Sequence, residues 1–263
     1  MSERHRIPVI EKMIDVLFAI EQNPAGITIN DIVADRRLPR STVYRILNTL
    51  EAAEIVISYG APASYVLGPR ILGLAANVPN VQRWNELVAK THPLMSRLSQ
   101  ELGETVKLSV LHDGKALCIA CVRGQSLSSL NGAVGQRFPL HAGAASKILL
   151  SGLTRQERRR LLPENLPEFT PHTIREHQEL EAELECVLAN GWAEDRCEFA
   201  LGVRAVGAPI LSSGKVIAAL SVAFISEQPA ARLELIRSRA LAAAATMSAS
   251  FAPPRNSDAK IVA

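Results

Sequence analysis

The 263-residue sequence has no run of 18 apolar residues, so no segment of it is set to span a bilayer as a helix. Its opening stretch, MSERHRIPVIEK, lacks the apolar core of a secretory signal, and a cytoplasmic chain is expected. Cysteine is scarce: Cys118, Cys121, Cys186 and Cys197 are all there is, which speaks against a disulfide framework. A large excess of one charge is also missing, since 29 Lys and Arg oppose 26 Asp and Glu for a net +3. Bulk charge therefore cannot argue for nucleic-acid binding, and any such argument must be local. Neither Ser146-Lys147 nor Ser41-Thr42 lies in a G-x-S-x-G elbow or an S-x-x-K pattern. No nucleophile, base and orienting group declare themselves as a set, so an enzyme is not expected, and no cofactor is required. What is present is an apolar share of 48 %, enough for one large core or two of ordinary size.

Positive charge, though not abundant, is sorted. Residues 1–70 hold eight Lys and Arg and eight Asp and Glu, yet residues 36–50 hold four arginines and no acid. PVIEKMIDVLFAIEQ has helical apolar spacing with Pro8 at its start. After NPAG, Thr28 caps a short helix, TINDIVADR, with Asp31 three residues on. A turn around RLP leads to a third helix, opened by Ser41 or Pro39, with apolar residues at 43, 46, 47 and 50. EIVISYGAPASYVLG then reads as a hairpin. Helix, helix, turn, helix and hairpin in about 70 residues is the pattern of a winged helix-turn-helix. The outer side of the third helix and the turn before it carry Arg36, Arg37, Arg40, Ser41, Thr42, Tyr44, Arg45 and Asn48. Arginine forks match guanine edges and phosphates, and hydroxyls serve phosphate oxygens, so these residues are the expected contacts to double-stranded DNA.

Residues 69–102 read as helical, with a weak spot at NVPN and a kink or a fresh start at Pro93. From Glu104 the period changes. TVKLSVLHDGKALCIACV is a hairpin around Asp113-Gly114, and VRAVGAPIL and KVIAALSVAFI join at Ser213-Gly214. SLSSLNGAV and WAEDRCEF are further strand candidates. TRQERRRLL, IREHQELEAELECVLANG and ARLELIRSRALAAAATMSASF are helices, and residues 252–263 form an expected disordered tail. Hairpins without regular βαβ alternation favour an α+β domain, an antiparallel sheet with helices packed on it.

Three apart on a regular strand, Cys118 and Cys121 point to opposite faces, so they are expected as core cysteines and not as a metal or redox pair. His141, Asp195 and Cys197 would make a metal set only if the fold brings them together. HAGAASK, small residues opening a helix, fits two uses: close packing of the helix on the sheet, or exposed backbone N–H groups that attract an anion.

LPRSTVYRILNTLEAAEIV with YVLGPRILGL resembles the DNA-binding half of the IclR family of bacterial transcription regulators. GETVKLSVL, VGQRFPLHAGAASKILL, NGWAEDRCEFALGVRAVGAPI and GKVIAALSV resemble the same family's effector half. The resemblance implies a winged helix-turn-helix domain over 1–68, a linker helix over 69–82 and a GAF-like effector and oligomerisation domain over 83–251. It also implies dimers or dimers of dimers on a palindromic operator, with binding altered by a small organic acid or a related ester or lactone. By the same resemblance the effector site takes Leu127, Leu130 and Phe138 as apolar lining, Ala144 and Ala145 at the helix start, Asp195 as a polar contact, and Val203, Ala205, Ser221 and Ala223 on facing strands. Ala205 and Ala223 stand where relatives carry a cysteine and a serine, so the expected ligand presents carbon there, as a longer aliphatic or aromatic acid does. Arg37 stands where the family often has glycine, and a left-handed residue other than glycine is costly. The wing tip GAPAS has no basic residue, so little wing contact with phosphate is expected. Two alternatives stay open at this point: a DNA-binding oligomer without a ligand, and an enzyme carrying a vestigial helix-turn-helix.

Overall fold

The computed structural model describes residues 7–126, 130 and 132–251, so Leu127 and the expected tail lie outside the described residues. The chain divides into two compact units, Met1–Arg83 and Trp84–Ala263. Among the described residues no helix is long and apolar enough to cross a membrane.

In the first unit, α1 (Pro8–Glu21) starts on its proline, whose missing N–H costs nothing there. After β1 (Ile27–Thr28), α2 (Ile29–Arg36) opens on a reciprocal cap: the Thr28 hydroxyl accepts from the Asp31 N–H, and the Asp31 carboxylate accepts from the Thr28 N–H. Arg37 ends α2 in the left-handed region, at φ 52° and ψ 37°, and so does the task glycine would do more cheaply. α3 (Arg40–Ala52) follows with Pro39 at its N-cap. β2 (Val56–Tyr59) and β3 (Ser64–Leu67) form the expected hairpin, and β1 adds a third strand through Ile27 opposite Tyr65. The core gathers Val16 and Ile20 of α1, Ile32 of α2, and Val43, Ile46, Leu47 and Leu50 of α3. α4 (Arg70–Ala76) ends where NVPN begins.

α5 (Val81–Leu102) runs unbroken through Pro93, so no fresh start occurs there; the proline removes one helical N–H and the flanking turns hold. The second unit is a six-stranded antiparallel sheet in the order β6-β5-β4-β9-β8-β7. Its strands are β4 (Thr105–His112), β5 (Lys115–Val122), β6 (Arg137–Phe138), β7 (Ala193–Arg196), β8 (Val203–Ser212) and β9 (Lys215–Ile225). The turns Asp113-Gly114 and Ser213-Gly214 have all four residues at positive φ, the geometry that suits tight hairpins. The described residues of SLSSLNGAV are loop, and among the described strands the sheet's edge here is β6.

Period two sorts the sheet. Val106, Leu108, Val206, Ala208, Leu220, Val222 and Phe224 face α5 and α9 (Ala230–Ala249). Ala116, Ala193 and Ala219 face α6 (Ala144–Ser151) and α8 (His177–Asn190), with α7 (Arg155–Leu161) beside them. Pairing of β4 with β5 shifts between Leu108, opposite Ala120, and Ser109, opposite Cys118, so Ile119 is an extra residue. The bulge carries Cys118 and Cys121 to one face, opposite Ser109 and Lys107, where a regular strand would separate them. Burial pushes the Cys118 thiol up to about 12 and the Cys121 thiol up as well, so neither is a ready thiolate.

α6 lies on β8 through Gly207. A Cβ at Gly207 would come within 2.9 Å of the backbone carbonyl carbon and oxygen of Ala144. We therefore expect Gly207→Ala to lift the first turn of α6 and to destabilise the second unit by about 1–3 kcal/mol, read by urea unfolding. A variant as stable as the parent would show that this contact is not tight.

Candidate functional site

The outer face of α3 is built by its own period. Burying Val43, Ile46, Leu47 and Leu50 leaves Arg40, Ser41, Tyr44, Arg45 and Asn48 exposed, with Thr42 half-buried. Tyr44 is 53 % exposed although it is aromatic. The four arginines of the stretch are not equivalent. Arg36 donates to Gln22 Oε1 at 2.9 Å and has Asp35 at 2.8 Å, and Arg40 donates to Asn30 of α2. Arg37 and Arg45 are exposed, and among the described residues their guanidinium groups have no hydrogen-bonding or ionic partner.

A second candidate site lies on the sheet face under α6. Register sets two rows across the strands. One runs Cys121, Lys107, Ser221, Gly207, and the next runs Thr105, Ala223, Ala205, Asp195. Ala144, Ala205 and Ala223 are buried together, and Leu130 packs against them. α6 begins at Gly143, with φ 106° and no side-chain cap, and among the described residues no hydrogen bond reaches the N–H groups of Ala144, Ala145 or Ser146. Ser221 is 6 % exposed; its hydroxyl makes no hydrogen bond among the described residues, and its oxygen keeps contact with solvent.

Asp195 is equally buried, and its Oδ1 accepts from the Glu198 N–H at 2.7 Å. Burial, and then the Glu198 charge, push its carboxyl up to about 6, against the pull of backbone N–H groups and Lys147. Lys147 has no solvent access and lies 2.6 Å from Glu198 Oε1 and 2.8 Å from Glu183 Oε1. His141 is bound to the Pro167 carbonyl at 2.8 Å, and burial lowers its pKa. Among the described residues no three His, Cys, Asp or Glu side chains converge as metal ligands, so His141, Asp195 and Cys197 are not brought together as a set.

The profile of the bacterial transcriptional regulator IclR C-terminal domain matches residues 81–249, and that of the IclR helix-turn-helix domain matches residues 9–56. The chain belongs to the IclR family. It is 36 % identical over 217 residues to the transcriptional regulator Rv1719 of Mycobacterium tuberculosis, covering 82 % of each chain. It is 29 % identical over 216 residues to the transcriptional repressor AllR of Escherichia coli, covering 81 % of this chain and 78 % of that one. An IclR homologue from Microbacterium hydrocarbonoxydans, solved with 4-hydroxybenzoate, superposes with a TM-score of 0.62 over 92 % of this chain and 99 % of its own, at 24 % identity. As an IclR protein the chain is a DNA-binding transcription regulator and not an enzyme.

Within the IclR fold, the residues expected around an effector separate into groups. Ala144, Ala205, Ala223, Leu130, Ser221 and Asp195 share one region of the sheet face, and Val203 shares that face by period. Ala145 is half-buried and packs with the core between α6 and α8. Phe138 lies on the edge strand β6, with its ring under the Lys107 ammonium at 5.0 Å. Lys107, Thr105 and Gly207 belong to the same face and were not among the expected residues. The signal for Lys107 was period two: Val106 and Leu108 beside it in TVKLSVL go to the core, which leaves the lysine on the opposite face.

The Asp195 carboxyl holds its proton more tightly in the folded chain than an ordinary aspartate does. Its contribution to stability is complete below about pH 4 and is lost as pH rises through about 6. Asp195→Asn still offers an oxygen to the Glu198 N–H but carries no charge. Between pH 4.5 and 7.5 it should gain on the wild type by about 2 kcal/mol at most, measured by thermal unfolding at a series of pH values. Parallel pH profiles for the two proteins would contradict this environment for Asp195.

Proposed function

We propose that this IclR regulator is a cytoplasmic dimer or tetramer that binds a palindromic operator through α3, and that a small organic acid, or a related ester or lactone, changes that binding by occupying the sheet face under α6. The observation that supports the effector reading is the uncapped start of α6, which lies beside the small side chains of Ala144, Ala205 and Ala223 and the Ser221 hydroxyl. Small side chains beside backbone N–H groups and a hydroxyl that no acceptor or donor among the described residues takes up offer both room and polar partners, which favours a ligand over simple packing. The homologue that binds 4-hydroxybenzoate supports an acid of that size, and the two alanines supply carbon where such a ring needs it. Repression is the mode carried by the name of AllR, and we extend it to this chain.

The DNA-facing residues in this reading are Arg37, Arg40, Ser41, Thr42, Tyr44, Arg45 and Asn48, with Arg36 tied back to α1 by Gln22. Self-association is supported by α1, where Ile10, Ile14 and Phe18 follow one another at helical spacing and are 44 %, 40 % and 50 % exposed. A symmetric pair also gives one short recognition helix a second half-site.

Fluorescence anisotropy on the cognate palindrome tests the DNA face. Arg45→Ala should weaken binding by about 1–3 kcal/mol if the side chain reads a base. If it meets only phosphate, the loss is the same on all sequences and the salt slope becomes shallower. Unchanged binding by the Arg37→Ala, Arg45→Ala double variant would remove α3 from the interface.

A further inference from the structure

The start of α6 offers uncapped N–H groups to a ligand carboxylate, but a carboxylate already stands there. A Cβ built on Gly143, at the N-cap of α6, would lie 4.0 Å from Asp195 Oδ2, and Glu198 follows on the same loop. A second anion at that end would face Asp195 with no cation between them, because the nearby Lys147 ammonium is committed to Glu183 and Glu198.

The opposite end of the site is different. Lys107 is half-buried, and among the described residues its ammonium has no carboxylate and no hydrogen-bond acceptor. Its position is set by what surrounds it. The ring of Phe138 lies under Nζ at 5.0 Å. The backbone of Gly132 is close enough that a Cβ there would come within 3.0 Å of Lys107 Cε and 2.8 Å of Cys121 Sγ. On β9 the residue directly opposite Lys107 is Ser221. Lys107, whose ammonium has no counter-ion among the described residues, and Ser221, whose hydroxyl has no protein partner there, are therefore register partners on the site's own face. An ammonium and a hydroxyl carried by facing residues suit an oxyanion, to which the one gives charge and the other a hydrogen bond.

Resting on the effector reading above, we infer that Lys107 and Ser221 form the anion seat of the site, and that the Asp195 end receives a hydrogen-bond donor. The ligand is thereby given a direction. Its carboxylate lies over β4 and β9, its carbon body lies over Ala223, Ala205 and Leu130, and a hydroxyl or amine at its far end donates to Asp195. The site takes a monoanionic acid with a distal donor and disfavours a dicarboxylate, whose second charge would meet Asp195.

The test is calorimetric titration of the full chain with benzoate, 4-hydroxybenzoate, hexanoate and 6-hydroxyhexanoate, each paired with its neutral amide. The wild type should bind at least one hydroxy acid tenfold or more tighter than its amide, and tighter than the acid without the hydroxyl. Lys107→Met should abolish the preference for acid over amide while leaving the amide's affinity within about twofold, and Lys107→Arg should restore part of it. Asp195→Asn should reduce the preference for the hydroxylated acid and leave the preference for acid over amide intact. If Lys107→Met keeps the full preference for the acid while Asp195→Asn still weakens binding, the effector site stands and the anion seat is overturned. If none of the four acids binds the wild type, the effector reading fails, and this inference with it.

Discussion

A lysine ammonium with no access to water joins three elements of the second unit. Lys147 projects from α6 and is held by Glu183 of α8 and by Glu198 in the loop between β7 and β8. Placing an ammonium out of solvent is costly unless its partners are fixed, so the pairing constrains all three at once. Glu198 in turn gives its N–H to Asp195, and its carbonyl accepts from the hydroxyls of Thr170 and Thr173. The helix start, the loop and the carboxylate at one end of the site are therefore parts of one bonded arrangement. Close approach completes it, since Gly207 lets the first turn of α6 lie directly against β8.

The same unit shows how burial gives a sheet face a chemical gradient. One face is filled by Val, Leu and Phe under α5 and α9. The other carries Lys107 and Ser221 in its middle strands and Asp195 near its edge, with alanines between them. A cation and a carboxylate thus stand on the same sheet face, neither paired with the other. In the first unit the arginines divide by a comparable rule. Arg36 and Arg40 are each held by a neighbouring side chain, Gln22 and Asn30, and among the described residues the exposed Arg37 and Arg45 are not.

Local chemistry was legible in the sequence. The cap at Thr28 and the turns at Asp113-Gly114 and Ser213-Gly214 are decided within a few residues, and all stand where they were expected. The sorted arginines marked the exposed face of α3 for the same reason, because a helix period is local. What stayed hidden depends on partners distant in the chain. Lys107 in TVKLSVL looks like an ordinary solvated lysine until β9 brings Ser221 beside it. Lys147 in HAGAASK looks like an exposed lysine until α8 and Glu198 close over it. The extra residue at Ile119, which turns Cys118 and Cys121 to one face, follows from pairing with β4 and has no marker in its own segment. β1 is two residues long, too short to carry a strand pattern, and is a strand only because β3 is there to pair with it.

The central claim is that a ligand in the site under α6 changes the chain's hold on DNA. Its most direct measurement is operator affinity, by fluorescence anisotropy, with and without the tightest-binding acid, for the wild type and for Ser221→Val. The account predicts a several-fold change in operator affinity for the wild type and little or none for the variant, with equal affinities in the absence of acid. An acid that binds the wild type without altering operator affinity, or one that alters it equally in Ser221→Val, would contradict the account.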